Sequence, residues 1–161
     1  MNYNRYRIRI LNGFCLIIWL IALSYLGLMY DNIPNKVGTH FTLLGQADAY
    51  GDKVSLWLLP VTFMVIWLIG VVFSNALPTL LNFVLGVKQS VKAQQCVITG
   101  FFSILHLTTW MLYMNLVHHA LQGEHKITVF FTILPIVSVG IYIIIVIGYG
   151  LKQKRRRYKS K

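Results

Sequence analysis

Four charge-free runs divide the chain: Leu11 to Tyr30, Ser55 to Phe73, Cys96 to Val117 and Ile127 to Gly150, the shortest of 19 residues and the longest of 24. A helix crossing a hydrocarbon core needs roughly 20 apolar residues, and in lipid only a helix or a closed barrel satisfies its own backbone. The pattern predicts an all-α integral membrane four-helix bundle, a single membrane domain over 1–161 with spans at about 11–30, 55–73, 96–117 and 127–150. The first run exceeds the apolar stretch of a secretory leader, so it is expected to be retained. Between the second and third runs, SNALPTLLNFVLGVKQSVKAQQ is too apolar for a free loop. Pro78 should break any helix there, leaving an amphipathic segment that turns Lys88 and Lys92 toward lipid headgroups.

Composition agrees: 57% of residues are hydrophobic, 12% are charged, and mean hydropathy is +0.64. A soluble enzyme is excluded at this level. The formal charge of +11 would suggest nucleic acid in a soluble chain, but its placement gives it another meaning. Twelve Lys and Arg residues fall before the first run, between the second and third, and in the tail 151–161; three fall in the other connections. All four acids, Asp31, Asp48, Asp52 and Glu124, lie on the side poor in Lys and Arg. The positive-inside rule then predicts both termini in the cytoplasm, with the basic tail resting on anionic inner-leaflet lipid and no nucleic acid bound. Cys15 and Cys96 both fall toward that reducing side, so no disulfide is expected.

The connection Asp31 to Val54, expected outside, is long for a bundle, whose helix links usually take 2 to 8 residues. Ile33, Val37, Phe41, Leu43 and Leu44 suggest a segment folded onto the bundle mouth, with His40, Asp48, Asp52 and Lys53 supplying chemistry. The second outer connection, HHALQGEHK, adds His118, His119, Glu124, His125 and Lys126. Imidazole and carboxylate suit zinc or a similar divalent metal, and His40, Asp48, His118, His119 and His125 are the candidate ligands, although their spacing matches no standard zinc motif. Polar interfacial histidines are the plainer reading. In the third span Thr99, Ser103, His106, Thr109, Trp110 and Tyr113 form one polar and aromatic stripe that should face protein, with His106 as the intramembrane ionisable candidate. Thr128, Thr132, Pro135, Ser138 and Tyr142 recur at similar steps on the fourth helix, and the two stripes are expected to pack together.

The run IPNKVGTHFTLLGQADAYGDK followed by LWLLP resembles a bacterial membrane domain of unknown function that forms the N-terminal part of SdpI-type toxin-immunity proteins. The matching positions are Pro34, His40, Phe41, Gly45, Asp48, Gly51, Lys53 and Pro60, with three extra residues, Lys36 to Gly38, between the Pro and Thr39. Pro78 and Asn82 resemble the family's inner-loop Pro and Asn. The resemblance implies a bacterial plasma-membrane protein related to immunity against a secreted antimicrobial peptide, in some members with capture of a cytoplasmic regulator.

No Gly-rich phosphate loop, H-E-x-x-H or nucleophile motif is present. Three function classes remain: a non-enzymatic membrane protein that binds or excludes a peptide toxin or other envelope ligand; a metal-binding membrane enzyme or sensor; and a small carrier or regulatory subunit, which four spans would serve more readily as an oligomer.

Overall fold

The computed structural model describes residues 3–85 and 91–159. Among them four α-helices carry the fold: α1 (Tyr3–Met29), α2 (Leu58–Leu85), α3 (Val91–Leu121) and α4 (Val129–Lys159). Each contains a segment long and apolar enough to cross a membrane. The chain is a multi-pass membrane protein. At 1.5 Å per residue even the 27 residues of α1 reach about 40 Å, so the helices outrun the charge-free runs into the basic flanks.

The bundle is organised around α3. Helices α1, α2 and α4 each pack along it, whereas α1 and α2 touch one another only sparsely. The reason lies in the side chains. The predicted stripe on α3 is buried at Thr99, Ser103, His106, Trp110 and Tyr113, and α1 meets it with Cys15, Ala22 and Leu26, spaced seven and four residues apart on one helical face. Glycine admits the closest approaches. A Cβ at Gly70 would lie 2.3 Å from the Phe102 ring, and one at Gly100 would lie 2.5 Å from the Tyr142 hydroxyl.

The stripe of α4 does not pack on that of α3. The His106 face of α3 looks toward α1 and α2, while α4 lies on another face, where Tyr142 donates to the Val97 carbonyl at 2.7 Å and Asn115 meets Thr128. Sequence periodicity identified two polar faces without saying which elements they oppose.

The predicted break at Pro78 does not occur either. Helix α2 continues through it to Leu85, so a separate interfacial segment does not begin there. The ring is fully buried, and just upstream the Ser74 and Asn75 side chains each donate to the Val71 carbonyl at 2.8 Å. In lipid, unwinding would expose several backbone groups where proline removes one donor, so the helix persists. Lys88 lies outside the described residues, Lys92 sits in the first turn of α3, and Asn82 is placed by its backbone on α2.

The connection between α1 and α2 is not purely irregular. After a 3-10 turn at Tyr30–Asn32 it forms an antiparallel hairpin, β1 (Lys36–Phe41) with β2 (Ala47–Asp52), and a second 3-10 turn, Lys53–Trp57, leads into α2. The Asp52 carboxylate caps that turn by accepting from the Val54 N–H at 2.8 Å. Ile33 and Val37 are buried in the core with Leu56, Leu116, Val117 and Ile127, as the folded-down segment predicts. Leu43 and Leu44 are not: they lie beyond the last strand pair, Phe41 with Ala47, and project outward.

Candidate functional site

The sequence-selected residues of the two connections gather at one end of the bundle, where the hairpin and the α3–α4 connection meet. Gly45 holds the joint. It has φ +78°, accepts a hydrogen bond from the Ile127 N–H at 2.7 Å, and a Cβ there would lie 1.9 Å from the Ile127 carbonyl oxygen. Only glycine fits both the left-handed conformation and that approach. Next to it the Ala47 N–H donates to the His125 carbonyl at 3.2 Å, and Gln46 bridges Lys126, so the second connection lies along the hairpin like a short third strand.

Lys53 fastens the other side. Its Nζ donates to the carbonyls of Tyr30 and Ile33, each at 3.2 Å, and stands 4.7 Å from the centre of the Tyr30 ring. Gly51 lies against Thr39, where a Cβ would approach Cγ2 to 2.9 Å. Pro34 is exposed just ahead of β1, and Pro60, buried in the first turn of α2, accepts the Trp19 indole N–H at 3.3 Å. The three extra residues Lys36 to Gly38 lengthen the ladder, pairing with Asp52, Gly51 and Tyr50. Most of the motif therefore builds the platform.

Two acid–imidazole pairs stand on it. Register shifts on either side of His40 leave Thr39 and Asp48 without opposite partners, and Asp48 turns its carboxylate to His40 Nδ1 at 2.5 Å. Bulges commonly re-aim side chains in this way. The pair is open to solvent, its side chains 72% and 47% exposed. The second pair, His119 Nδ1 with Glu124 Oε2 at 2.6 Å, belongs to a larger network, and the His119 side chain is only 13% exposed. Lys126 donates to the other Glu124 oxygen at 3.1 Å, His119 Nε2 lies 3.2 Å from the Thr128 hydroxyl, and Asn115 binds both the N–H and the hydroxyl of Thr128. The Lys126 and His119 hydrogen bonds hold the Glu124 carboxyl below the usual carboxylate range.

A family model described as a domain of unknown function (DUF1648) matches residues 17–64. That stretch is the second half of α1, the whole hairpin and the start of α2. Neither the curated proteins nor the solved structures give a match.

The five proposed metal ligands are not brought into one cluster. His40 and Asp48 pair on the hairpin, His119 is held by Glu124, His118 is 3.3 Å from Gln122, and His125 packs edge-on to Tyr50 with ring centres 5.0 Å apart. Among the described residues no three His, Cys, Asp or Glu side chains group as a metal would need. Cys15 and Cys96 are free.

His106 lies deep in the bundle. Its Nε2 accepts the Trp110 indole N–H at 2.8 Å and also lies 3.3 Å from the Cys15 carbonyl. An imidazole nitrogen accepting from an indole cannot also donate to a carbonyl, so the Trp110 bond assigns the remaining proton to Nδ1. A cleft of about 70 Å³ between α2 and α3 reaches His106, but Phe63, Ile66, Trp67, Phe102 and Leu105 make it largely apolar.

Sequence reasoning missed Asn115 and Thr128 as the partners that lock the second pair. The NxxHH spacing of Asn115 with His118 and His119 was the available signal, since steps of three and four place Asn115 on the same helical face.

Proposed function

We propose that this is a bacterial plasma-membrane protein with both termini in the cytoplasm, whose hairpin end faces outward and recognises a secreted antimicrobial peptide or another envelope ligand. Immunity or sensing follows from that recognition without enzymatic chemistry. The observation that carries the reading is the exposed His40–Asp48 pair, displayed by a hairpin which is itself fixed to the bundle through Gly45, Ala47 and Lys53. A platform held this firmly loses little conformational freedom when it binds, which favours recognition. The uneven distribution of Lys and Arg supports the orientation, and the basic inner segments offer a surface for a cytoplasmic regulator.

Deletion of the gene, followed by challenge with peptides from neighbouring producers, tests this. Deletion should sensitise the cells, and His40→Ala should fail to restore protection while reaching the membrane at normal abundance. Unchanged sensitivity across a broad peptide panel would remove immunity as the function.

The two acid–imidazole pairs favour metal binding as a second reading, in which His40 and Asp48 supply two ligands and water or a ligand molecule the rest. Bound zinc in the purified protein, abolished by His40→Ala, would establish it, and metal-free protein would dismiss it.

A further inference from the structure

The hairpin turn carries two large apolar side chains that no described residue covers: Leu43 is 74% exposed and Leu44 is 70% exposed. The turn is not suspended above the bundle. The Thr132 hydroxyl of α4 shares its one proton between the Leu43 carbonyl at 3.0 Å and the Val129 carbonyl of its own helix at 2.7 Å, and the Ile127 N–H donates to the Gly45 carbonyl. Thr132 lies inside the apolar span Val129–Gly150, so the bond fixes the turn at a level where α4 is already membrane-facing. Phe130, Ile133 and Ile136, also exposed on this end of α4, are part of that face.

Much of the turn's backbone is bonded within the protein. The Thr42 N–H donates to the Gln46 carbonyl, the Gly45 N–H to the Thr42 carbonyl and the Gln46 N–H to the Thr42 hydroxyl, while the Leu43 and Gly45 carbonyls accept from the bundle. The Leu43 and Leu44 N–H groups and the Leu44 carbonyl have no such partner among the described residues, which sets the turn's backbone at the headgroup level, where water still reaches it, with the leucine side chains directed past it. From Phe41 to Ala47 the sequence contains no charged residue.

We propose that the hairpin tip, Leu43 and Leu44, is set into the bilayer beside the first turns of α4, as a third lipid contact distinct from the spans and the basic segments. The bilayer is the occupant because the leucines continue the lipid-facing surface of α4 at the same depth. The insertion holds the His40–Asp48 pair, a few residues further up the strands, near the headgroups. It requires neither a peptide ligand nor a role in immunity.

The test is spin-label accessibility in the full chain reconstituted into phosphatidylethanolamine and phosphatidylglycerol vesicles. Cys15→Ala and Cys96→Ser provide the background, and a nitroxide is attached after Leu44→Cys, with Tyr50→Cys and Ile136→Cys as aqueous and lipid references. Insertion predicts collision with oxygen severalfold above collision with a water-soluble nickel chelate, as at position 136. Chelate-dominated collision, as at position 50, would overturn the proposal. So would shielding from both reagents, which would mean that a second copy covers the tip. Leu43→Cys provides the same reading if the first variant does not assemble.

Discussion

The two acid–imidazole pairs have the same chemistry and opposite surroundings. His40 and Asp48 touch each other on an exposed strand pair, whereas His119 and Glu124 are joined to Lys126, Thr128 and Asn115 at the corner where α3 turns into α4. An exposed ion pair contributes about 0–1 kcal/mol, because water screens it and two side chains lose freedom to form it. A network that satisfies half-buried groups is costlier to disrupt, since each lost partner leaves another without its bond. The corner pair is therefore architecture. The hairpin pair is free to meet something else.

The strongest way to break this contrast is to remove the joint that supports both sides. Gly45→Ala forces a side chain into the Ile127 carbonyl at positive φ, and should cost about 2 kcal/mol or more, read as a large fall in Tm in detergent or lipid. His119→Ala follows, with a smaller but clear fall in Tm as Glu124 and Thr128 lose a partner. His40→Ala should move stability by no more than about 0.5 kcal/mol while abolishing protection in the challenge assay. Equal destabilisation by the two histidine variants would erase the distinction.

Acid sharpens it further. The Glu124 carboxyl titrates lower in the folded protein than in the unfolded chain, so its contribution is present above the unfolded value of about 4.3 and is lost as pH falls through the folded value. The Tm gap between the parent and Glu124→Gln should therefore be fully open near neutral pH and close in the acid range below about pH 4. A gap unchanged down to pH 3 would contradict the assignment. A local effect is expected from Thr132→Val, which frees the hairpin tip from α4 and should increase chelate access at position 44 with little change in Tm.

The helices were legible because lipid imposes a simple rule, and uncharged runs of about 20 residues satisfy it. The hairpin was not. Its strands have two bulges around His40, so burial along β1 does not alternate, and its turn, Thr42 to Gln46, lacks the Asn-Gly or Asp-Gly pair that marks the commonest tight hairpin. Pro78 was misread for a related reason: rules for helix breaking assume water waiting to bond the freed backbone. The site was legible as residue types, because His40, Asp48, His119 and Glu124 are polar groups in an apolar chain. Their pairing depended on bulges and on a corner that no local pattern records.

The central position of α3 bears on how the protein is made. It is the least apolar of the four candidate spans, yet it is the one the others surround. Alone in hydrocarbon it would present Thr99, Ser103 and His106 to acyl chains, whereas in the bundle α1 and α2 take these side chains out of contact with lipid. During biogenesis the first two helices leave the ribosome before α3, so the surfaces that shelter its polar side are synthesised first.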